Sequence, residues 1–308
     1  MLENKEEAMH KGLSPVLLSI VTAALVLVFG CGDSNVNKAK AFQAQKKYDQ
    51  AIQHYRLALD KDPENKTARY GLIETYAQKV INKGGEQLAP EYVEEVMADL
   101  EPVAQPLMSD QNIKRYISLV YQMLAKRYAE AGRNDKAAEA WAKVIEIEPS
   151  FAEAHFNLGM AMCLGGKYEK AIPHFEKAIS LNPYFVKGYQ ALGDTLLRLK
   201  RNEEAAQQYL KALELNPDDP AIHHNLGLTY FNEGNVEKAI DEYQKALEIE
   251  PDYAFAYRSL HDAYERAGNT EKVKEIDEKW KKMTEDYLQA LRESNSASPE
   301  PSETPGGS

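Results

Sequence analysis

Between residues 118 and 253 the apolar positions recur at helical spacing, and the same punctuation breaks them every 34 residues. Pro149, Pro183, Pro217 and Pro251 each close a similar run: VIEIEP, AISLNP, ALELNP and ALEIEP. Proline lacks an N–H and restricts the residue before it, so each one stops a helix. With proline at repeat position 32, position 7 reads Leu124, Leu158, Leu192, Leu226, and position 8 reads Ala125, Gly159, Gly193, Gly227. Position 11 reads Tyr128, Met162, Leu196, Tyr230, and position 20 reads Ala137, Ala171, Ala205, Ala239. Position 24 reads Trp141, Phe175, Tyr209, Tyr243, and position 27 reads Val144, Ala178, Ala212, Ala246. Positions 4, 7, 8 and 11 share one face of a first helix; positions 20, 24 and 27 share one face of a second. Small residues at 8 and 20 let the two helices approach, and large ones at 11 and 24 fill the space between units. Glycine at position 15 (Gly132, Gly166, Gly234, Gly268) follows the first helix, where a positive φ is needed. Lys200 stands there in one unit. Pro173, near the start of a second helix, predicts a local distortion at most.

The flanks carry a weaker version of the pattern. Residues 32–65 place Phe42, Ala51, Tyr55, Ala58 and Pro63 at positions 11, 20, 24, 27 and 32. Residues 66–117 begin with Leu72 and Tyr76 in register, then run eighteen residues too long. That surplus holds Gly84-Gly85, Pro90, Pro102 and Pro106, which predicts a lengthened or broken second helix over 90–101 and a loop. Residues 254–293 start a last unit with Tyr257, Leu260 and Tyr264, followed by a charged helix from about 270 that suits the polar end of a stack. Residues 294–308 are mostly Ser, Pro and Gly, cannot bury a core, and are expected to be disordered.

These residue types at these positions resemble the tetratricopeptide repeat (TPR) over residues 32–287. The resemblance implies an all-α fold: a right-handed α-solenoid of helix-turn-helix units with a C-terminal capping helix. It further implies that first helices line a concave face through positions 2, 5, 9, 12 and 13. Those positions hold Gln122, Lys126, Phe156, Met160, Lys187, Gln190, Asp194, Arg198, His224, Leu228, Phe231, Arg258 and Asp262. The apolar members, Phe156, Met160, Leu228 and Phe231, suggest a bound protein or peptide, or else packing between helices. One subgroup of the family clamps a peptide's terminal carboxylate. Lys126, Asn157 and Lys187 stand near positions of that clamp, but it wants asparagine where Lys126 stands, lysine where Gln122 stands and a basic residue where Ala191 stands.

The first thirty residues are of another kind. Residues 13–29 (LSPVLLSIVTAALVLVF) are uncharged, follow Lys11, and end at Gly30-Cys31, with Met9 a possible second start. A basic flank, a short apolar core and a small residue mark an export signal. VFGC at 28–31 resembles the bacterial lipobox, which implies acylation of Cys31; Phe29 and the acidic Glu3, Glu6 and Glu7 depart from it. At about 1.5 Å per residue the segment is also just long enough for a short membrane anchor. The resemblance to lipoproteins implies a bacterial envelope location facing the periplasm, with Gly32 favouring the outer membrane.

Charge narrows the partners. The net charge is −11, or −10 without residues 1–30, and an acidic body repels phosphate backbones, so no nucleic-acid partner is expected. Two cysteines, Cys31 and Cys163, are too few for a disulfide framework or a zinc site. His223 and His224 are adjacent on a helix and cannot chelate from one face. No cofactor or catalytic motif is present; the GGK at 165–167 sits at a helix–helix turn without a preceding strand. The expected role is a non-catalytic scaffold for a protein or peptide in an envelope assembly: pilus, secretion, outer-membrane biogenesis or polysaccharide export. Self-assembly, and a subunit of an enzyme complex with Asp194 and Asp262 in a composite site, are the alternatives.

Overall fold

The computed structural model describes residues 33–82 and 88–296. The proposed lipid site Cys31, the Gly84-Gly85 pair and residues 297–308 lie outside the described residues. Among those described there are fourteen α-helices, one 3₁₀ turn and no strand. The chain divides into two units, Met1–Pro149 and Ser150–Ser308.

The first unit contains α1 (Ser34–Ala44), α2 (Tyr48–Lys61), α3 (Lys66–Asn82), α4 (Pro90–Ala104), the 3₁₀ turn Gln105–Leu107, α5 (Gln111–Glu130) and α6 (Asn134–Ile147). The second contains α7 (Ala152–Leu164), α8 (Tyr168–Leu181), α9 (Val186–Arg198), α10 (Asn202–Leu215), α11 (Pro220–Asn232), α12 (Val236–Ile249), α13 (Ala254–Arg266) and α14 (Thr270–Ser296). Pro149, Pro183, Pro217 and Pro251 each fall just past the end of a second helix, as their spacing predicts. In the second unit each helix packs on the next, from α7 through α14.

Three boundaries differ from the sequence expectation. The surplus in residues 66–117 is partly absorbed by longer first helices: α3 has 17 residues and α5 has 20. Asp110 starts α5 at Gln111, not near 118, because its carboxylate accepts from the N–H groups of Asn112 (2.8 Å) and Ile113 (3.3 Å). α4 continues through Pro102 to Ala104 because its buried stripe of Val93, Val96, Met97 and Leu100 extends to Ala104 while the proline faces solvent. α14 runs to Ser296, past the tail boundary expected at 294. Pro173 lies within an uninterrupted α8, on its exposed side.

The small residues at position 8 have a visible use. A Cβ on Gly159 would meet the Phe175 ring at 2.6 Å, one on Gly193 the Tyr209 ring at 2.7 Å, and one on Gly227 the Tyr243 ring at 2.7 Å. In these three units the position-24 ring therefore packs directly against the backbone of its own first helix. Phe175, Tyr209 and Tyr243 are all buried.

The turns follow the glycine rule as well. Gly132, Gly166, Gly234 and Gly268 have φ between 70° and 85°. Lys200 takes the same left-handed conformation at φ 60°, which costs an L-residue with a Cβ about 1–2 kcal/mol. Lys200→Gly relieves that strain but frees the unfolded chain, so a net gain of about 0.5–1 kcal/mol is expected in thermal unfolding. An unchanged or lowered midpoint would contradict this reading of the turn.

Candidate functional site

Within the second unit the first helices α7, α9 and α11, with one residue of α8, line a concave cavity of about 880 Å³. The helical period explains the lining, because positions four residues apart fall on the same face. α7 contributes Phe156, Met160, Cys163 and Leu164; α9 contributes Lys187, Gln190, Asp194 and Arg198; α11 contributes Asn225 and Leu228. Of the sequence candidates, Phe156, Met160, Lys187, Gln190, Asp194 and Leu228 are thus brought together, along with Arg198.

The other candidates lie elsewhere. Gln122 and Lys126 belong to α5 of the first unit, where the Gln122 amide donates to Ser118 Oγ at 3.2 Å. His224 is surrounded by rings, with centroids of Tyr243 at 5.5 Å, Tyr253 at 5.7 Å and Phe255 at 6.2 Å. Its Nε2 lies 2.9 Å from Ser259 Oγ, and burial pushes its pKa down, which keeps it neutral. Phe231 is half-buried beneath the Arg266 guanidinium, 4.8 Å from its ring centre. Arg258 is exposed on α13. Asn157 is half-buried on α7 and does not line the cavity.

Phe156 is only partly available to a ligand. Its ring stands edge-on to Phe185 at 5.0 Å and tilted to Phe175 at 5.9 Å, so it joins the helix core. The apolar surface open to solvent is instead Met160 at 37% exposure and Leu164 at 62%. Leu164, Cys163 and Tyr168 were not named as groove residues from the sequence. The first two occupy positions 13 and 12 of their repeat, so the rule that selected Phe231 and Arg198 also finds them. Tyr168 opens a second helix, and only its contact with Arg198, 5.8 Å from its ring centre, reveals it.

Polar order in the cavity centres on Asp194. Its Oδ1 accepts from the Tyr209 hydroxyl at 2.6 Å and from Asn225 Nδ2 at 3.0 Å. Burial raises the carboxyl above its ordinary value of 3.8, against the opposing effect of these donors and of Arg198. The Cys163 thiol lies 3.3 Å from Thr195 Oγ1, and burial pushes its pKa up, away from nucleophilic thiolate character.

The first unit has its own concavity of about 700 Å³, lined by α1 and α3 with Tyr55 of α2 at its floor. Tyr55 donates to Gln43 Oε1 at 3.0 Å, Gln43 to Gln78 Oε1 at 3.4 Å, and Gln78 to Glu74 Oε1 at 3.2 Å. The degenerate repeats hid this surface from sequence reasoning. Among the described residues one group, His261, Asp262 and Glu265, has spacing that a cation could use. His261 is already engaged, with Nδ1 2.8 Å from Asp277 and Nε2 3.6 Å from Glu265.

Models described as tetratricopeptide repeat or TPR repeat match residues 42–79, 123–184, 174–208, 193–234 and 229–268. The chain belongs to the tetratricopeptide-repeat family. Solved structures agree. A MamA crystal structure is 25% identical, with a TM-score of 0.53 over 56% of this chain and 94% of its own. A second is 27% identical, with a TM-score of 0.50 over 55% and 96%. MamA 41-end from Desulfovibrio magneticus RS-1 is 23% identical with a TM-score of 0.51 over 55% of this chain and 94% of its own, a likeness of fold alone. Among curated proteins none matches the chain. A TPR protein of this build is a protein–protein interaction scaffold.

Proposed function

We propose that the chain is a non-catalytic, membrane-tethered TPR scaffold that holds a segment of a partner protein in the concave groove of its second unit. The observation that carries this is the Met160–Leu164 surface, left open to solvent on the face that first helices build, beside charged groups of α9. Catalysis has little to work with there: the buried thiol is disfavoured as thiolate and Asp194 is committed to Tyr209 and Asn225. No described helix is long and apolar enough to cross a membrane. The tether is therefore assigned to residues 1–31, by acylation at Cys31 or by the apolar segment itself. A bacterial envelope assembly is the setting that such a tether suits, and the acidic charge of the chain argues against nucleic acid.

Two measurements test this reading. Affinity capture from native membranes with the full chain and with Met160→Glu/Leu164→Glu should lose one specific partner by about tenfold or more, a loss of about 1.4 kcal/mol or more. Both side chains are exposed, so the thermal unfolding midpoint should stay unchanged; a partner retained at wild-type level would contradict the groove assignment. Mass spectrometry of the mature N-terminus should find a diacylglyceryl group on Cys31. A chain that is unmodified and still begins at Met1 or Met9 would overturn the lipid tether.

A further inference from the structure

Several cations outside the groove have a carboxylate beside them. On the second helices, Lys143 pairs with Glu146, Lys211 with Glu214, Lys245 with Glu242 and Lys272 with Glu275, at 2.7–2.8 Å. The two cations of the groove differ from these. Lys187 and Arg198 both line the cavity, both are exposed, and neither forms an ion pair with a described residue, Arg198 resting over the Tyr168 ring. The acid between them on the same helix face, Asp194, is held inward by Tyr209 and Asn225. A chain of net charge −11 thus presents two cations without a carboxylate in hydrogen-bond reach, Lys187 and Arg198, in the apolar-walled groove of its second unit. Met160 and Leu164 of α7 flank those cations on one side and Leu228 of α11 on the other.

Resting on the groove reading above, we infer that the occupant is an acidic segment of a partner protein, with Asp or Glu side chains over Lys187 and Arg198 and apolar residues on both sides of them. Opposite charges across the contact give register and selectivity, while the apolar flanks supply the burial. The feature read is a side-chain carboxylate within the segment, not a chain terminus.

The test probes the full chain with an array of random-sequence, C-terminally amidated dodecapeptides. The wild type should enrich peptides combining Asp or Glu with Leu, Ile, Met or Phe, and binding should weaken at an ionic strength of about 0.5 M, where surface charges are screened. Lys187→Glu/Arg198→Glu should weaken these peptides about tenfold or more, whereas Lys187→Arg/Arg198→Lys should retain them. An unchanged melting curve for both variants confirms that folding is not the cause. If the enriched peptides are basic or uncharged, and indifferent to salt and to charge reversal, this inference fails while the groove reading stands. If no peptide binds, or if the peptides that bind ignore Met160→Glu/Leu164→Glu, the groove reading fails and takes the inference with it.

Discussion

Gly227→Val is expected to destabilise the second unit by about 3 kcal/mol or more, the upper end of what overpacking a filled core costs. A Cβ at this position would stand 2.7 Å from two atoms of the Tyr243 ring and 3.1 Å from the backbone oxygen of Ala239. The ring has little room to yield, because Tyr243 is 1% exposed and lies in the cluster of Ala239, Tyr257, Leu260 and Tyr264. The backbone oxygen cannot yield without moving α12. Tyr243→Ala alone should cost about 3–5 kcal/mol by leaving a cavity. The double variant should cost clearly less than the two together, because the new methyl groups occupy space the ring has left. Urea and thermal unfolding of the three variants checks this. Strict additivity would mean that the ring does not rest on the α11 backbone.

The second large effect concerns Asp194. Tyr209→Phe removes one of the two donors to a carboxylate that burial already disfavours in its charged form, at an expected cost of about 1–3 kcal/mol near neutral pH. Asp194→Asn should have the opposite sign. An asparagine oxygen still accepts from Tyr209 and Asn225, and no charge is buried. The pH dependence follows from the raised pKa. The folded state holds this proton to higher pH than the unfolded chain does, so the wild type loses stability as pH rises above 3.8 through the raised value, then levels off. The advantage of Asp194→Asn should therefore be absent at the acid end, grow across the carboxylate range and stay constant above it. A difference that is flat from acid to neutral pH would contradict the assignment of a costly buried carboxylate. On the acidic-ligand inference the same substitution also tightens ligand binding, since it removes the one groove charge that repels the partner.

Much of the fold was legible because the signals are local. Proline at position 32, glycine at position 15 and the small–aromatic pairing of positions 8 and 24 each state a backbone or packing requirement in one or two residues. Legibility fell where the requirement was tertiary. Pro102 reads as a stop, yet α4 passes through it because the buried stripe continues to Ala104. Position numbers alone left Phe156 and Phe231 between two readings, partner contact and packing between helices. They could not show Phe185 arriving from a loop to cover the first, or Arg266 lying over the second. For the same reason the paired state of a cation is invisible in sequence. Lys187 and Lys211 look alike as letters, and only their surroundings separate a ligand-facing charge from one satisfied by Glu214.

Site-specific photocrosslinking of the full chain in its native membranes tests the central claim most directly. A photoreactive residue placed at Met160 or Leu164 on α7 should capture one partner protein, and the same residue at the exposed Lys177 on α8 should not. Equal capture from all three positions, or capture from Lys177 alone, would mean that partners are held somewhere other than the face built by the first helices.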